Sequence, residues 1–305
     1  MNKHQPASKI IAIGSGKGGV GKSLISANLA VQLAMMKANI IVIDADFGGS
    51  NLHTYMGLPA PTLSLSHIFS GSARSLGDIM IPTPFPNLNL ISADSDIISI
   101  TNFKYTQKMK VLNEILNLKA DFIIIDLGAG STFNVIDFFM LSYFPLVVAT
   151  PELASFENAY TFIKNTIFRM VLNEIPKNNI YYQTVLNYFM FPSQYGTYTI
   201  DAILDRIRPE NSELTVKIER RLEQFVPNLI LNRVIEMNEM RLGEKIRQIV
   251  RRYLRVDLHF LTYFEEDRVL KQKMTYERAA IQEIPTCSFA RKTRELANAI
   301  LSLKE

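Results

Sequence analysis

Four glycines and two lysines lie within eight residues near the start of the chain, in the run from Gly16 to Ser23. The run fits the pattern G-x-x-x-x-G-K-[ST], with an apolar stretch before it and a stretch of helical period after it, as the pattern requires. Glycines let the backbone wrap closely around a phosphate, with its N–H groups and the helix start pointing at the charge. Lys22 is therefore predicted to bind β- and γ-phosphates, and Ser23 to bind Mg²⁺.

Two carboxylates close apolar runs that are typical of buried strands. Asp126 ends one run and Asp44 ends another. A carboxylate at the end of a strand beside the loop can bind Mg²⁺ through a water molecule, and Asp44 is predicted to support the same metal shell. The alternative for Asp126 is a plain turn-forming role at the end of its strand.

These residues need a scaffold, and the chain predicts one by alternating short β-branched runs with segments of helical period. Most of the runs are continuously apolar, which is typical of parallel strands covered by helices on both faces. The strands are predicted at Ile10–Gly14, Ile40–Asp44, Asn89–Ser92, Phe122–Asp126, Leu146–Thr150, Leu229–Arg233 and Leu258–Tyr263. The helices are predicted at Lys22–Met36, Thr106–Leu118, Phe133–Leu141, Ser155–Leu172, Met240–Tyr253 and Ala290–Leu303.

The predicted fold class is α/β, a doubly wound and mostly parallel sheet flanked by helices. Residues 1–305 are expected to form a single domain. Residues 173–227, rich in Tyr, Asn and charged residues, separate two predicted strands by more than one crossover helix needs. This segment is predicted to be a mostly helical insertion.

Composition sets limits on the class of protein. The chain has 305 residues, is 48% hydrophobic and carries a formal net charge of +4, which allows an anionic partner without requiring one. One cysteine, Cys287, excludes a disulfide framework and a cysteine-ligated metal centre within one chain. This cysteine usage predicts a cytoplasmic location. No apolar run has signal or membrane-spanning length, so no membrane span is predicted.

The loop has one unusual residue, Lys17, which makes it KGGVGKS. This sequence resembles the deviant Walker A motif of the MinD/ParA group of P-loop ATPases. Further motifs resemble that group in the same order: IIVIDADFGGSNLHTYMGL with its switch I, DFIIIDLGAG with its Walker B strand and switch II, then VVATPE, LILNRV and LTYFEEDRVLKQK. The likeness covers roughly residues 9–172 and 228–303.

The resemblance implies that the chain binds ATP and Mg²⁺ and that two copies enclose two ATP molecules. Lys17 would then contact the phosphates of the other copy, and Asp46 would orient the attacking water. A turn-forming or helix-capping role is the alternative for Asp46. The resemblance places Asn232 where the family reads adenine and Asp267 in the adenine-flanking loop, with Asn187 as a competing candidate. The implied nucleotide-binding set is Gly16, Lys17, Gly18, Gly19, Val20, Gly21, Lys22, Ser23, Leu24, Asn232 and Asp267, and the implied metal set is Ser23, Asp44 and Asp126.

The motifs are closest to the MinD-like branch that includes FlhG. The chain is therefore interpreted as a Mg-dependent, ATP-hydrolysing switch. Its role would be to regulate the positioning or assembly of a cellular structure, with flagella as one candidate. Its predicted partners are a second copy and an unidentified protein. The segment SFARKTRELANAILSLKE is interpreted as the last core helix, so membrane anchoring is doubtful.

A DNA-partitioning ATPase of ParA type is the alternative. Arg247, Arg251 and Arg255 recur every four residues, and on a helix they would share one face. Such a face could bind DNA phosphates without sequence preference, although an ordinary solvated face explains the spacing equally well. Peripheral association with a membrane or a nucleoid is left open with this alternative.

Overall fold

Eight strands form one sheet in a computed structural model that describes residues 8–93, 105–190 and 199–304. Each predicted strand forms, within three residues of its predicted ends. A short additional strand, β3, was not predicted. The strands are β1 Lys9–Ser15, β2 Ile40–Ala45, β3 Ile81–Pro82, β4 Leu88–Ile91, β5 Phe122–Ala129, β6 Leu146–Ala149, β7 Asn228–Val234 and β8 His259–Glu265.

The strand order is β3-β4-β2-β5-β1-β6-β7-β8, and every neighbouring pair is parallel except β3 and β4. Strands β1 and β5 lie side by side at the centre, so the loop after β1 and the carboxylate on β5 meet at one edge. The prediction of a doubly wound, mostly parallel sheet is confirmed.

Helices cover both faces of this sheet. They are α1 Lys22–Met35, α2 Leu52–Tyr55, α3 Leu65–Ser70, α4 Tyr105–Asn117, α5 Phe133–Phe139, α6 Leu153–Glu174, α7 Ile180–Met190, α8 Ile200–Ile207, α9 Ser212–Glu223, α10 Met240–Leu254, α11 Arg268–Lys273, α12 Ala280–Glu283 and α13 Ser288–Leu301. None of the helices in the described ranges is both long enough and apolar enough to span a bilayer.

Side chains from alternate positions of each central strand enter two separate cores. Ile11 and Ile13 of β1 pack with α1 and α13 on one face. Ala12 of the same strand packs on the other face, with α4, α5, α6 and α10. Burial on both faces explains why these strands read as continuous apolar runs.

The segment 173–227 contains the end of α6 and the helices α7, α8 and α9. Residues 191–198 of the predicted insertion lie outside the described residues. Ile203 and Ile218 are buried in the same core as α6 and α10, and Lys217 pairs with Glu174 at 3.0 Å. The helical part of the prediction is confirmed for the described residues, and the assignment as an insertion in a single domain stays a prediction.

One arginine of the candidate DNA-binding face lies outside the helix. Helix α10 ends at Leu254, and Arg255 has a left-handed backbone with φ 57°. Its guanidinium pairs with Asp201 on α8 and Glu219 on α9, at 3.1 Å each. The prediction that Arg255 continues the arginine face of this helix is therefore wrong, because the chain turns there to begin the approach to β8.

Candidate functional site

The loop between β1 and α1 presents backbone N–H groups at a helix start. Gly21 precedes α1 with φ 96°, and neither a side-chain cap nor an acidic first-turn residue satisfies the N–H groups there. Only a residue without a Cβ fits at Gly16, since that atom would lie 2.0 Å from the carbonyl oxygen of Asn158 on α6. The first turn of a 14-residue helix is therefore open to an anion.

A cavity of about 460 Å³ opens above this helix start. Loop residues Gly18, Gly19 and Gly21 line it together with Lys22, Ser23 and Leu24, as the sequence predicts for a phosphate site. Lys22 is buried, and burial lowers its pKa, while the carboxylates of Asp126 and Asp46 raise it. The ammonium group is thus placed among opposite charges at the phosphate end of the cavity.

Asp126 lies on β5 directly below the loop. Its Oδ1 accepts a hydrogen bond from the Ser26 hydroxyl at 2.8 Å, whereas its buried Oδ2 has no hydrogen-bond partner among the described residues. Burial raises the pKa of Asp126 to about 6, against the lowering effects of Lys22 and of the Ser23 and Ser26 hydroxyls. A buried carboxylate oxygen with a free lone pair beside Ser23 suits a hard cation.

Asp44 is aligned with Asp126 on the neighbouring strand β2. Burial and the nearby charge of Asp126 raise the pKa of Asp44 to about 7, and three hydrogen bonds oppose that change. Its Oδ2 accepts from the Ser50 hydroxyl at 2.8 Å and from the Leu52 N–H at 3.0 Å, and its Oδ1 accepts from the Asp46 N–H. These bonds position the segment after β2, and membership of the metal shell stays a prediction.

Asp46 lies at the edge of the same cavity, in the segment after β2. Its Oδ1 accepts from the Gly48 N–H at 3.1 Å, and the same oxygen would lie 3.1 Å from a Cβ on Gly128 of β5. The side chain therefore lies between the segment after β2 and the end of β5. This position is compatible with the predicted role in orienting water, which stays a prediction.

Asn232 and Asp267 line the far part of the cavity. The side-chain amide of Asn232 donates to the Val20 carbonyl at 2.7 Å and so fixes the loop. Asp267 caps α11 by accepting from the Leu270 N–H at 3.0 Å. Asn187, the competing candidate, lies on α7, is hydrogen bonded to Gln183 and is not among the residues that line this cavity.

Lys17 behaves differently from Lys22. It is not among the described side chains that line the cavity, and its Nζ lies 3.0 Å from Glu152 Oε2, just before α6. Lys17 is 43% exposed and Glu152 is 60% exposed. The unusual lysine of the loop is therefore at the surface, on the rim of the site.

Several lining residues are outside the predicted set of site residues, among them Tyr55, Arg233 and Tyr276. Arg233 directly follows the predicted Asn232, so its place in the motif was a usable signal. Tyr55 and Tyr276 belong to segments that are 221 positions apart by their numbering, and no local pattern marks them. Their nearness is a result of tertiary packing.

The donor set fits a Mg²⁺-bound nucleotide. An uncapped helix start and Lys22 suit the phosphates, and the unpaired oxygen of Asp126 beside Ser23 suits the metal. The remaining cavity has a mixed polar and apolar lining that a nucleoside requires. Fold and site together define a P-loop nucleotide-binding protein.

Comparison with known proteins gives the family. A sequence model described as "ParA: NUBPL iron-transfer P-loop NTPase" matches residues 6–171. An uncharacterised ATP-binding protein of Methanocaldococcus jannaschii is 32% identical over 214 residues, which is 70% of each chain. The chain therefore belongs to the ParA family of P-loop NTPases.

A flagellar relative matches over about half of its length, and solved structures match over nearly the whole chain at low identity. The flagellum site-determining protein YlxH of Helicobacter pylori is 35% identical over 161 residues, so the match spans 51% of this chain and 53% of YlxH. The septum site-determining protein MinD of Pyrococcus horikoshii, solved with Mg-ADP, has a TM-score of 0.62 at 20% identity over 98% of this chain and 99% of that one. A MinC:MinD complex of Aquifex aeolicus gives 0.61 at 18% identity over 97% of each chain. At such identities the likeness to solved structures shows the shared fold.

Proposed function

We propose that the chain is an ATP-hydrolysing switch that dimerises around two ATP molecules and, as a dimer, regulates the positioning or assembly of a cellular structure. Membership of the ParA family supports the ATPase part of the proposal. The names of YlxH and MinD, which determine flagellar and septal sites, support the positioning part.

The position of Lys17 is the observation that carries the proposal. Lys22 alone of the two loop lysines lines the cavity in the described part of the chain, and Lys17 lies outside it on an exposed rim. In the proposed dimer, a cation placed there would contact the second molecule's phosphates. Bringing two chains together would thus complete each site.

The proposed chemistry relies on placing charge around the transferred phosphoryl group. Lys22 and the N–H groups at the start of α1 bind the phosphates, and Ser23 and Asp126 would hold Mg²⁺, which neutralises charge on the phosphate oxygens. Asp46 orients the attacking water. Gly48 and Gly49 in the adjoining segment allow that segment to rearrange when the γ-phosphate leaves.

Sedimentation velocity of three variants tests the proposal, each with ADP and with ATP. The wild-type chain is expected to dimerise with ATP and not with ADP. Lys22→Ala is expected to lose nucleotide binding, because its cation lies at the phosphate end of the cavity. Lys17→Ala is expected to bind ATP and remain monomeric, and Asp46→Ala is expected to form a long-lived dimer that hydrolyses ATP slowly.

The Lys17 variant gives the decisive result. If Lys17→Ala dimerises with ATP as fully as the wild type does, the second-chain role of this lysine is rejected. If the wild-type chain neither binds nor hydrolyses ATP, the switch proposal as a whole is rejected.

The structure offers less support for DNA partitioning. Arg247 pairs with Glu244, Arg251 with Asp257, and Arg255 with two carboxylates, so each of these arginines lies beside an acidic side chain that would compete with DNA phosphates. Retention on non-specific DNA at low and high salt, with and without ATP, separates the two functions. ATP-dependent, salt-sensitive binding would favour partitioning.

The protein partner is expected to recognise the dimer, as MinC assembles with MinD in the solved complex. Iron transfer, which appears in the description of the matching family, is not proposed for this chain. A cluster scaffold needs several thiolates, and the chain has a single, buried cysteine.

A further inference from the structure

Two residues that line the cavity have a backbone conformation that side chains disfavour. Arg233 has φ 62° and Tyr276 has φ 64°. Left-handed backbone at a bulky residue is rare, and it persists where surrounding contacts hold it and where function uses it. The contacts that hold the Tyr276 backbone and the surroundings of its ring therefore bear on function.

The turn that carries Tyr276 is held by a single carboxylate. Glu283 on α12 accepts hydrogen bonds from the N–H and the hydroxyl of Thr275 and from the N–H groups of Glu277 and Arg278. These contacts surround Tyr276 on both sides in the sequence. Burial raises the pKa of Glu283, but these hydrogen bonds together outweigh burial and lower the pKa, so the carboxylate stays charged at neutral pH and keeps accepting them.

A second contact, from the segment that follows α2, holds the same turn. Gly57, with φ 68°, lies against the backbone of the turn, and a Cβ there would be 2.2 Å from the Glu277 carbonyl oxygen. The turn is thus clamped between α12 and the end of α2. Such a rigid turn determines the direction of the Tyr276 side chain.

The tyrosine ring extends over an aromatic neighbour. The rings of Tyr276 and Tyr55 meet edge to face, with centroids 5.8 Å apart and planes at 63°. Tyr276 is still 47% exposed, and both residues line the nucleotide cavity. An exposed, rigidly held aromatic ring on the wall of a ligand cavity is suited to a flat ligand group.

The residues that line the cavity indicate which part of a nucleotide would lie against the Tyr276 ring. The phosphates belong at the start of α1, and the rest of the cavity combines polar and charged residues with an apolar group made of Leu270, Met274, Phe289 and the Tyr276 ring. An aromatic base fits such a wall, since every base has a face that stacks on aromatic side chains.

We propose that Tyr276, supported edge-on by Tyr55, stacks on the nucleobase of the bound nucleotide and contributes to base selectivity. This inference rests on the proposed function, because it assumes that the cavity holds a nucleotide. The strained turn then has a function, which is to aim the ring at the base.

Calorimetric titration with ADP, CDP and pyrophosphate tests the proposal without hydrolysis. Tyr276→Gly removes the ring and its contact with Tyr55 but relieves the backbone strain, so its Tm is expected to stay close to the wild-type value. Its affinity for ADP is expected to fall roughly tenfold, and its affinity for pyrophosphate is expected to stay unchanged. Tyr276→Phe should restore ADP binding, and the preference for ADP over CDP should narrow in the glycine variant, because purines stack more strongly.

Lys37→Gly is the matched control. Lys37 also has a left-handed backbone, with φ 67°, but it follows the far end of α1 and is not among the residues lining the nucleotide cavity. This variant should bind ADP as the wild type does.

The outcomes separate the two proposals. If the wild-type chain binds no ADP, the proposed function fails. If the wild type binds ADP and Tyr276→Gly binds it equally well, or loses pyrophosphate in parallel, the stacking proposal is overturned. An equal loss of ADP and CDP, with pyrophosphate unchanged, would also overturn it in favour of a ribose contact.

Discussion

Two anions could pair with Lys17: the Glu152 carboxylate of its own chain and the phosphates that a second chain would present. The pair with Glu152 joins exposed side chains at 3.0 Å. Exposed ion pairs contribute about 0–1 kcal/mol, because water screens the charges and two long side chains lose freedom. The internal pair is therefore weak enough to open in the proposed dimer.

Glu152→Gln should free Lys17 for the second chain and strengthen ATP-dependent dimerisation by up to about fivefold, the equivalent of 1 kcal/mol. Sedimentation equilibrium with ATP measures the dimer constant. Glu157→Gln is the control, since Glu157 is an exposed glutamate further along α6. Equal dimer constants for the two variants would show that Glu152 does not compete for Lys17.

Asp44 and Asp126 are buried carboxyl groups whose pKa values are raised above the ordinary value of 3.8. Between about pH 4 and pH 7 the folded chain keeps protons on these groups that the unfolded chain has lost. The stability they contribute is complete below pH 4 and is lost as the pH rises towards 7. The nucleotide-free chain should therefore be stabilised by mild acid at this site.

Asp126→Asn should reduce that dependence by roughly 1–3 kcal/mol between pH 4 and pH 7, because asparagine has no proton to lose. Urea unfolding of both proteins without nucleotide, at several pH values, measures the difference. The same pH slope in both proteins would mean that Asp126 has an ordinary pKa in the folded state.

At the scale of elements, the loop depends on backbone shape as much as on charge. Gly21 and Gly19 both have positive φ, at 96° and 77°. A Cβ at Gly21 would lie 2.2 Å from the Asn232 amide, whereas a Cβ at Gly19 meets nothing within 4 Å. A substitution at Gly19 therefore tests backbone strain alone, whereas a substitution at Gly21 tests backbone strain together with a steric clash.

Gly19→Ala should cost about 1–2 kcal/mol of stability from left-handed backbone alone. Gly21→Ala should cost more, and it should also weaken nucleotide binding, because Asn232 must release the Val20 carbonyl. Thermal unfolding and ADP titration of both variants measure these effects. Equal losses in the two variants would show that the Asn232 contact adds nothing to the loop.

At the scale of the whole molecule, the question is whether 173–227 folds with the rest. Ile218 on α9 is fully buried, in a core shared with α6 and α10. Truncating the Ile218 side chain should leave a cavity in this shared core and so destabilise the nucleotide-binding part of the chain as well. A single domain should then unfold in one transition.

Ile218→Ala should lower the free energy of unfolding by about 2–5 kcal/mol, with one transition reported by every probe. Val216→Ala is the control on the same helix, since Val216 is 51% exposed and should change stability little. A separate early transition that ADP does not shift would show that 173–227 is an independent unit.

The sequence alone determined the phosphate loop, the fold class and the ends of most strands. Each of these depends on neighbouring residues: the loop is eight consecutive positions, and a strand buried on both faces is one continuous apolar run. Asp44 and Asp126 could be identified for the same reason, since each directly ends such a run.

Only the tertiary structure decided which residues that are distant in the sequence contact each other. It paired Lys17 with Glu152, turned Arg255 out of α10 towards Asp201 and Glu219, and brought Tyr55 against Tyr276. It also added β3, whose two residues are too few to form a periodic pattern. These contacts depend on how helices pack on the sheet, and packing is fixed by the shapes of distant side chains, which no local spacing records.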